Sequence, residues 1–334
     1  MAFRSHMKVS AWLGILLVGL PLLGLSQNTP TQVLDTKSED SDKAKSLVIN
    51  VDLVNVLFTV TDRRGKLVTD LSQKELKLLE DNRVQSITNF SRETDLPLTI
   101  ALLIDTSTSI RDRFKFEQEA AIDFLYRTIR PKKDKGLLIT FDSAIELVQD
   151  YTDNPEVLAK AIRQVRPGGG TKMLDALYLA CQEKLKSETG RKLIILISDG
   201  DDNLSLETVN STLEMAQRSD VAIFTISTNS SGFFGLTAPK ADKLLKRLAD
   251  ETGGRAFFPS NERDLQDAFA QIQRDLREQY LVAYSPSNKA RDGSYRKIEI
   301  QVITPEMREK NLKLTYRPGY FAKSGPEPVK RRQE

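Results

Sequence analysis

Between Leu98 and Arg277, short apolar runs alternate with segments of helical periodicity, and this alternation limits the possible folds more than any other feature. Leu98–Ile104, Gly136–Phe141, Leu193–Ser198 and Val221–Ser227 are nearly continuous in apolar character, the pattern of strands covered on both faces. Ala144–Val148 reads as a short edge strand and Ala256–Phe258 as a weaker one. Among them lie a helix using Ile110, Phe114, Ala121, Leu125 and Ile129, and another over Pro155–Val165. Further helices are expected after Thr171 and over Leu206–Arg218, Ala241–Glu251 and Glu262–Arg277. Strand and helix in turn predict a doubly wound, mostly parallel α/β sheet with helices on both faces.

The flanks follow a period of two. Leu47, Ile49, Val51 and Leu53 alternate with other residues, and Val54, Val56, Phe58 and Val60 continue in the opposite phase. Asp62-Arg63-Arg64-Gly65 has turn chemistry, and Leu76–Phe90 can hold two short strands around Glu80-Asp81-Asn82. After the helical region, Tyr280–Tyr284, Ile298–Val302 and Leu312–Tyr316 resume the strand pattern. So few strands are marginal alone. Pairing residues 46–95 with residues 278–322 gives a β-sandwich into which the α/β domain, residues 96–277, is inserted.

Residues 1–26 have the layout of a secretory signal: Arg4 and Lys8, an apolar stretch from Ala11 to Leu25, and the small residues Gly24 and Ser26. Cleavage after Ser26 is expected over retention as an anchor, because the stretch is short for a span and carries Pro21. No later segment is long and apolar enough to span a bilayer, so the mature chain is expected to be soluble, and the signal is expected to place it outside the cytoplasm, periplasmic or secreted. Residues 27–45 read as a flexible leader and residues 323–334 as a solvated tail. The formal charge of +3 falls to +1 without Arg4 and Lys8, which gives no case for nucleic acid. The one histidine, His6, leaves with the signal, removing Ser-His-Asp and Cys-His catalysis and the usual histidine-containing zinc sites. The one cysteine, Cys181, cannot form an intramolecular disulfide. It shares helical spacing with Leu174, Leu177 and Leu185, which places the thiol in a core rather than at a reactive surface.

Three loops carry the candidate chemistry. Asp105-Thr106-Ser107-Thr108-Ser109 follows the first buried strand, at the edge where open α/β sheets bind ligands. Oxygen-only groups there suit a hard cation such as Mg2+. Thr171 follows Gly168-Gly169-Gly170 and starts a helix; the glycines permit close backbone approach and the helix start favours nearby anions. Asp199 ends a later strand in Ile197-Ser198-Asp199-Gly200. If the strands are neighbours, Asp105, Ser107, Ser109, Thr171 and Asp199 converge.

Asp-x-Ser-x-Ser, Gly-Gly-Gly-Thr and Ser-Asp-Gly in this order resemble the von Willebrand factor type A domain over about Leu98–Arg277. The flanks are similar to those of a bacterial group of exported proteins with this domain. There Asp52-Leu53-Val54, Val60-Thr61-Asp62 and Gly65 precede it, and Gln279-Tyr280, Tyr284-Ser285-Pro286 and Arg317-Pro318-Gly319-Tyr320 follow. The resemblance implies a metal-ion-dependent adhesion site. Ser107 and Ser109 would ligate Mg2+ (Mn2+ or Ca2+ in its place), Thr171 directly or through water, and Asp105 and Asp199 largely through water. Neutral hydroxyls leave the cation's charge poorly quenched, so a partner's Asp or Glu can complete the shell. Phe233 and Phe234, in the loop after Val221–Ser227, are candidate partner-binding aromatics, or pack against the sandwich.

Two other classes stand beside this binding module. One is an envelope scaffold in which the metal only stiffens loops. The other is Mg2+-dependent phosphoryl transfer with Asp105 as nucleophile. Against the latter, the position two residues on is Ser107 rather than a second acid, and no Gly-x-x-x-x-Gly-Lys loop is present.

Overall fold

A computed structural model describes residues 53–93, 95–108, 114–229 and 240–325. The segments expected to be a signal and a leader, and the last residues of the expected tail, lie outside them. The first strand, β1 (Val54–Thr61), enters a hairpin-rich flank with β2 (Leu76–Glu80), β3 (Arg83–Gln85) and β4 (Ile87–Glu93). Asp81 and Asn82 both take left-handed backbone (φ 47° and 64°), which gives the tight twist that a two-residue β2–β3 hairpin requires. Where two strands were expected there are three, because β4 leaves β3 and joins the other sheet of the sandwich.

The central domain follows with β5 (Leu98–Asp105), α1 (Phe114–Thr128), β6 (Lys135–Phe141), β7 (Ile145–Thr152), α2 (Pro155–Gln164) and α3 (Met173–Leu179). Then come β8 (Arg191–Ser198), α4 (Val209–Arg218), β9 (Val221–Ser227), α5 (Lys240–Asp250), β10 (Ala256–Phe257) and α6 (Glu262–Arg277). Its sheet has the order β10-β9-β8-β5-β6-β7, parallel except for the antiparallel edge strand β7. All eight residues of β5 are buried, as its unbroken apolar run requires. Its side chains sort strictly by parity: Leu98, Ile100, Leu102 and Ile104 pack with α1, α2 and α6, whereas Ala101 and Leu103 pack with α3, α4 and α5. After α3 the helix widens into a π turn over Ala180–Leu185, in which the Lys186 amide donates to the Cys181 carbonyl. Cys181 is fully buried there, and burial pushes its thiol up to about 12. Among the described residues, no helix is long and apolar enough to cross a membrane.

The chain then returns to the flank through β11 (Gln279–Tyr284), β12 (Tyr295–Val302), the short α7 (Pro305–Glu309), β13 (Lys313–Tyr316) and β14 (Gly319–Phe321). Two antiparallel sheets result, β13-β1-β11-β4 and β14-β12-β2-β3, each mixing strands from before and after the central domain. Val56, Phe58, Leu78, Tyr280, Tyr284 and Ile298 close a core between them. This is the expected sandwich with the α/β domain inserted in it. Tyr280 stacks between Phe58 and Phe90, and its hydroxyl accepts the Leu71 amide at 2.9 Å. The buried Glu80 is satisfied by the hydroxyls of Tyr284 (2.8 Å) and Tyr320 (2.9 Å).

Candidate metal centre

The order of the central sheet reverses at β5: the chain runs from β5 to β6 on one side and later returns to β8 on the other. The carboxyl ends of β5 and β8 therefore bound the crevice in which doubly wound sheets place ligands. Their parallel register pairs Ile104 with Ile197, so the next residues, Asp105 and Ser198, leave the sheet side by side. The Ser198 hydroxyl donates to Asp105 Oδ2 at 2.6 Å, and the Ser107 amide donates to Oδ1 at 2.8 Å.

Asp105 has no exposed surface. Burial pushes its pKa up to about 6, the Ser198 and Ser107 hydrogen bonds offset part of that, and the neighbouring charge of Asp199 adds to the rise. No Lys or Arg among the described residues forms an ion pair with it. A carboxylate buried with only hydroxyl and amide donors is an unneutralised charge, and such groups pair or coordinate metals. Ser107, which bonds it, and Thr171 are also buried, and Asp199 is half-buried. No three His, Cys, Asp or Glu side chains gather anywhere among the described residues, so the oxygen set here is mixed carboxylate and hydroxyl. That set suits a hard divalent cation.

The glycine loop is drawn against the Asp105 loop by backbone bonds, Gly168 N–H to Thr106 C=O at 2.5 Å and Thr108 N–H to Gly169 C=O at 3.4 Å. Gly169 has φ +98°, and a Cβ there would meet Asp142 and Ser143 at 3.0 Å, so the close approach requires glycine. Thr171 does not itself begin the helix; α3 starts two residues later, at Met173. The loop 201–208, expected to be helical from Leu206, instead grips Thr171. Asn203 Oδ1 accepts the Thr171 amide (3.1 Å), and the Asn203 and Leu204 amides donate to its carbonyl (3.2 and 3.0 Å). Asp202 accepts the Leu174 amide and the Ser205 hydroxyl, while Asp175 accepts the Leu206 and Glu207 amides. α4 begins at Val209, with Thr208 as its N-cap and Ser211 completing the capping box in its first turn.

Asp199 is steadied by the Asp201 amide on Oδ1 (3.0 Å) and by Asn229 Nδ2 on its carbonyl (2.7 Å). Asn229 and Ser227 share the Asp242 carboxylate of α5. Gly200 takes φ +77°, which turns the chain away from the site. The described residues thus bring Asp105, Ser107, Thr171 and Asp199 to one edge; Ser109, Phe233 and Phe234 lie outside them. Ser198 stands in the Ser-Asp-Gly motif but is assigned no role from sequence, and Asn203 and Asn229 lie outside the three motifs. Only Ser198 carried a signal, being adjacent to Asp199 in a strand that neighbours β5.

The family model described as von Willebrand factor type A domain matches residues 99–271. No curated protein matches the chain. Among solved structures, proximal thread matrix protein 1 from the mussel byssus is similar at 18% identity and a TM-score of 0.48, covering 59% of this chain and 51% of that one. The chain thus spans about half the length of that protein. The conserved hypothetical protein BatB from Bacteroides thetaiotaomicron matches at 14% identity and TM-score 0.43, covering 53% of this chain and 98% of that one. The vWF domain of the type V pili tip protein Mfa5 from Porphyromonas gingivalis matches at 16% identity and TM-score 0.45, covering 55% and 95%.

Proposed function

The chain belongs to the von Willebrand factor type A domain family, and from that premise we propose that it is an exported, metal-dependent protein-binding module. The observation that carries this reading is the buried Asp105 carboxylate, which Ser198 and Ser107 hydrogen-bond and with which no Lys or Arg among the described residues pairs. Asp105, Ser107, Thr171 and Asp199, with Ser109, would hold a divalent cation, for which Mg2+ fits the oxygen set and Mn2+ or Ca2+ could substitute. When bound, the cation supplies a concentrated positive charge able to accept a partner's carboxylate.

The chain's own residues set the conditions for that capture. Ser198 and the Ser107 amide fix Asp105 in one orientation at the edge of the crevice. Asn203 and Leu204 hold the Thr171 backbone from both sides, limiting how far its hydroxyl can drift. Because only the two acids bring negative charge, a partner's Asp or Glu would not be repelled once the cation is in place. The signal-like residues 1–26 support export, which would present the site to other envelope or extracellular proteins. The sandwich of flanking strands would serve as its support.

The test is affinity capture from envelope extract with Mg2+ or EDTA, alongside an Asp105→Ala control whose fold is checked by thermal unfolding. The reading expects partners retained in Mg2+ and lost both in EDTA and in the variant. Capture that persists in EDTA overturns it, and a metal-stabilised fold without any metal-dependent partner would favour the scaffold.

A further inference from the structure

At the opposite, amino-terminal edge of the parallel sheet, the outer face of β1 and β11 meets the starts of β8 and β9 around a cavity of about 330 Å³. That volume falls at the lower end of the range of small-molecule sites, which favour such domain junctions. Its walls are largely apolar, with Leu57, Leu193, Phe224, Leu276 and Leu281 among them. Two polar side chains in the lining are left incomplete. Gln279 is buried, and its Oε1 accepts no hydrogen bond from any described residue. The half-buried Lys192 donates none to any described residue. The other charges at the cavity are committed: Arg317 pairs with Asp220 and donates to the Asn55 carbonyl at 2.7 Å, and Arg191 donates to the Leu276 carbonyl at 2.5 Å. Lys192, Arg191 and Arg317 against the single acid Asp220 leave the lining cationic.

We infer that this junction cavity binds a small carboxylate with an apolar body and one N–H or O–H donor. The carboxylate answers Lys192, the donor answers Gln279 Oε1, and the apolar body fills the leucine-lined space. Desolvation draws the Lys192 pKa below its ordinary value, so a bound anion would restore the stability of the charged ammonium. The site is separate from the metal centre, since the two lie at opposite ends of the β8 and β9 strands. It touches both the central domain and the sandwich, so a ligand there would join the two.

The probe is N-acetylleucine, titrated into the full chain in EDTA so that capture by a metal contributes nothing. Backbone amide NMR shifts provide the readout, and the uncharged methyl ester is the comparison. Saturable shifts are expected at Gly190, Ala222 and Gly253, with the ester weaker by about tenfold for the loss of a charged hydrogen bond. Lys192→Met should erase the preference for acid over ester, and Ala222→Phe, which fills the space, should abolish binding of both. The inference is overturned by shifts that do not saturate, as water filling alone would give. It is also overturned by equal binding of acid and ester to the unaltered chain, or by binding that Ala222→Phe leaves intact. The acid–ester comparison on the unaltered chain decides the matter even if a variant fails to fold.

Discussion

Two aspartates are buried at opposite edges of the same sheet, and the chain treats them in opposite ways. Asp134, at the amino edge just before β6, has a fully buried side chain inside a cage of the protein's own donors. Arg130 reaches it through Nε at 2.7 Å, Arg277 lies at 3.5 Å, and the Leu98 amide donates at 2.9 Å. Burial alone would raise its pKa, but the Arg130 and amide hydrogen bonds outweigh it and hold the carboxyl below its usual range. Asp105, at the carboxyl edge, receives hydrogen bonds from Ser198 and Ser107 and no arginine among the described residues, and is pushed up to about 6. A buried acid meant only for stability is neutralised from within. One left charged and uncompensated is an incomplete site, held at a cost to the fold.

The harshest way to break the comparison is to remove the caged acid. Asp134→Ala takes the shared carboxylate from Arg130 and Arg277 and orphans the Leu98 amide, and should cost about 3 kcal/mol by urea unfolding. The lower end of the range for buried pairs applies because Arg130 is partly exposed. The loss should be the same with Mg2+ or EDTA. The mirror substitution, Asp105→Asn, should instead stabilise the metal-free protein at pH 7, on the order of 2–3 kcal/mol at about 1.4 kcal/mol per pKa unit. A loss of stability there would refute the view of Asp105 as an uncompensated charge.

The two acids should also give stability slopes of opposite sign with pH. The native pKa of Asp105 is raised, so the folded state holds its proton more tightly than the unfolded chain. In EDTA its contribution is therefore favourable below about pH 4 and is lost as the pH rises towards about 6. Asp134 is depressed, so its contribution is present above the unfolded value and is lost as the pH falls through its folded pKa. Urea unfolding across this range should show the falling limb near pH 4–6 vanish in Asp105→Asn and the acid-side loss weaken in Asp134→Asn. The smallest effect concerns the Thr171 clamp. Asn203→Ala should lower Mg2+ affinity about tenfold, as for other residues that orient ligands, while costing roughly 1 kcal/mol of stability. Calorimetry and urea unfolding on the same sample separate the two.

Much of this was legible in the chain because the signal was local. The unbroken apolar run of β5 and the loop that ends it announced both a buried strand and its acid. Asp105, Thr171 and Asp199 could be placed at one edge because the alternation of strand and helix already implied a parallel sheet. What stayed hidden depends on register and long-range pairing. Ser198 belongs to the Ser-Asp-Gly motif, yet its bond to Asp105 shows only when β8 is set against β5, and Asn203 gains meaning only when its loop folds onto Thr171. Leu206 carries a helical pattern, yet Asp175 takes its amide and α4 starts at Val209. The Asp134 cage had no motif at all, since Arg130 is near in sequence but Arg277 and Leu98 come from distant elements. Arg317-Pro318-Gly319-Tyr320 marked the family resemblance without revealing that Gly319 opens the strand β14, where a Cβ would collide with the Arg296 carbonyl at 2.3 Å.

The most direct test of the central claim is calorimetric titration of Mg2+ into the chain and into Asp105→Asn, with thermal unfolding of both in EDTA. Saturable Mg2+ binding by the unaltered chain, absent in a variant that is at least as stable without metal, is the predicted result. Equal Mg2+ binding by both proteins, or none by either, would contradict it.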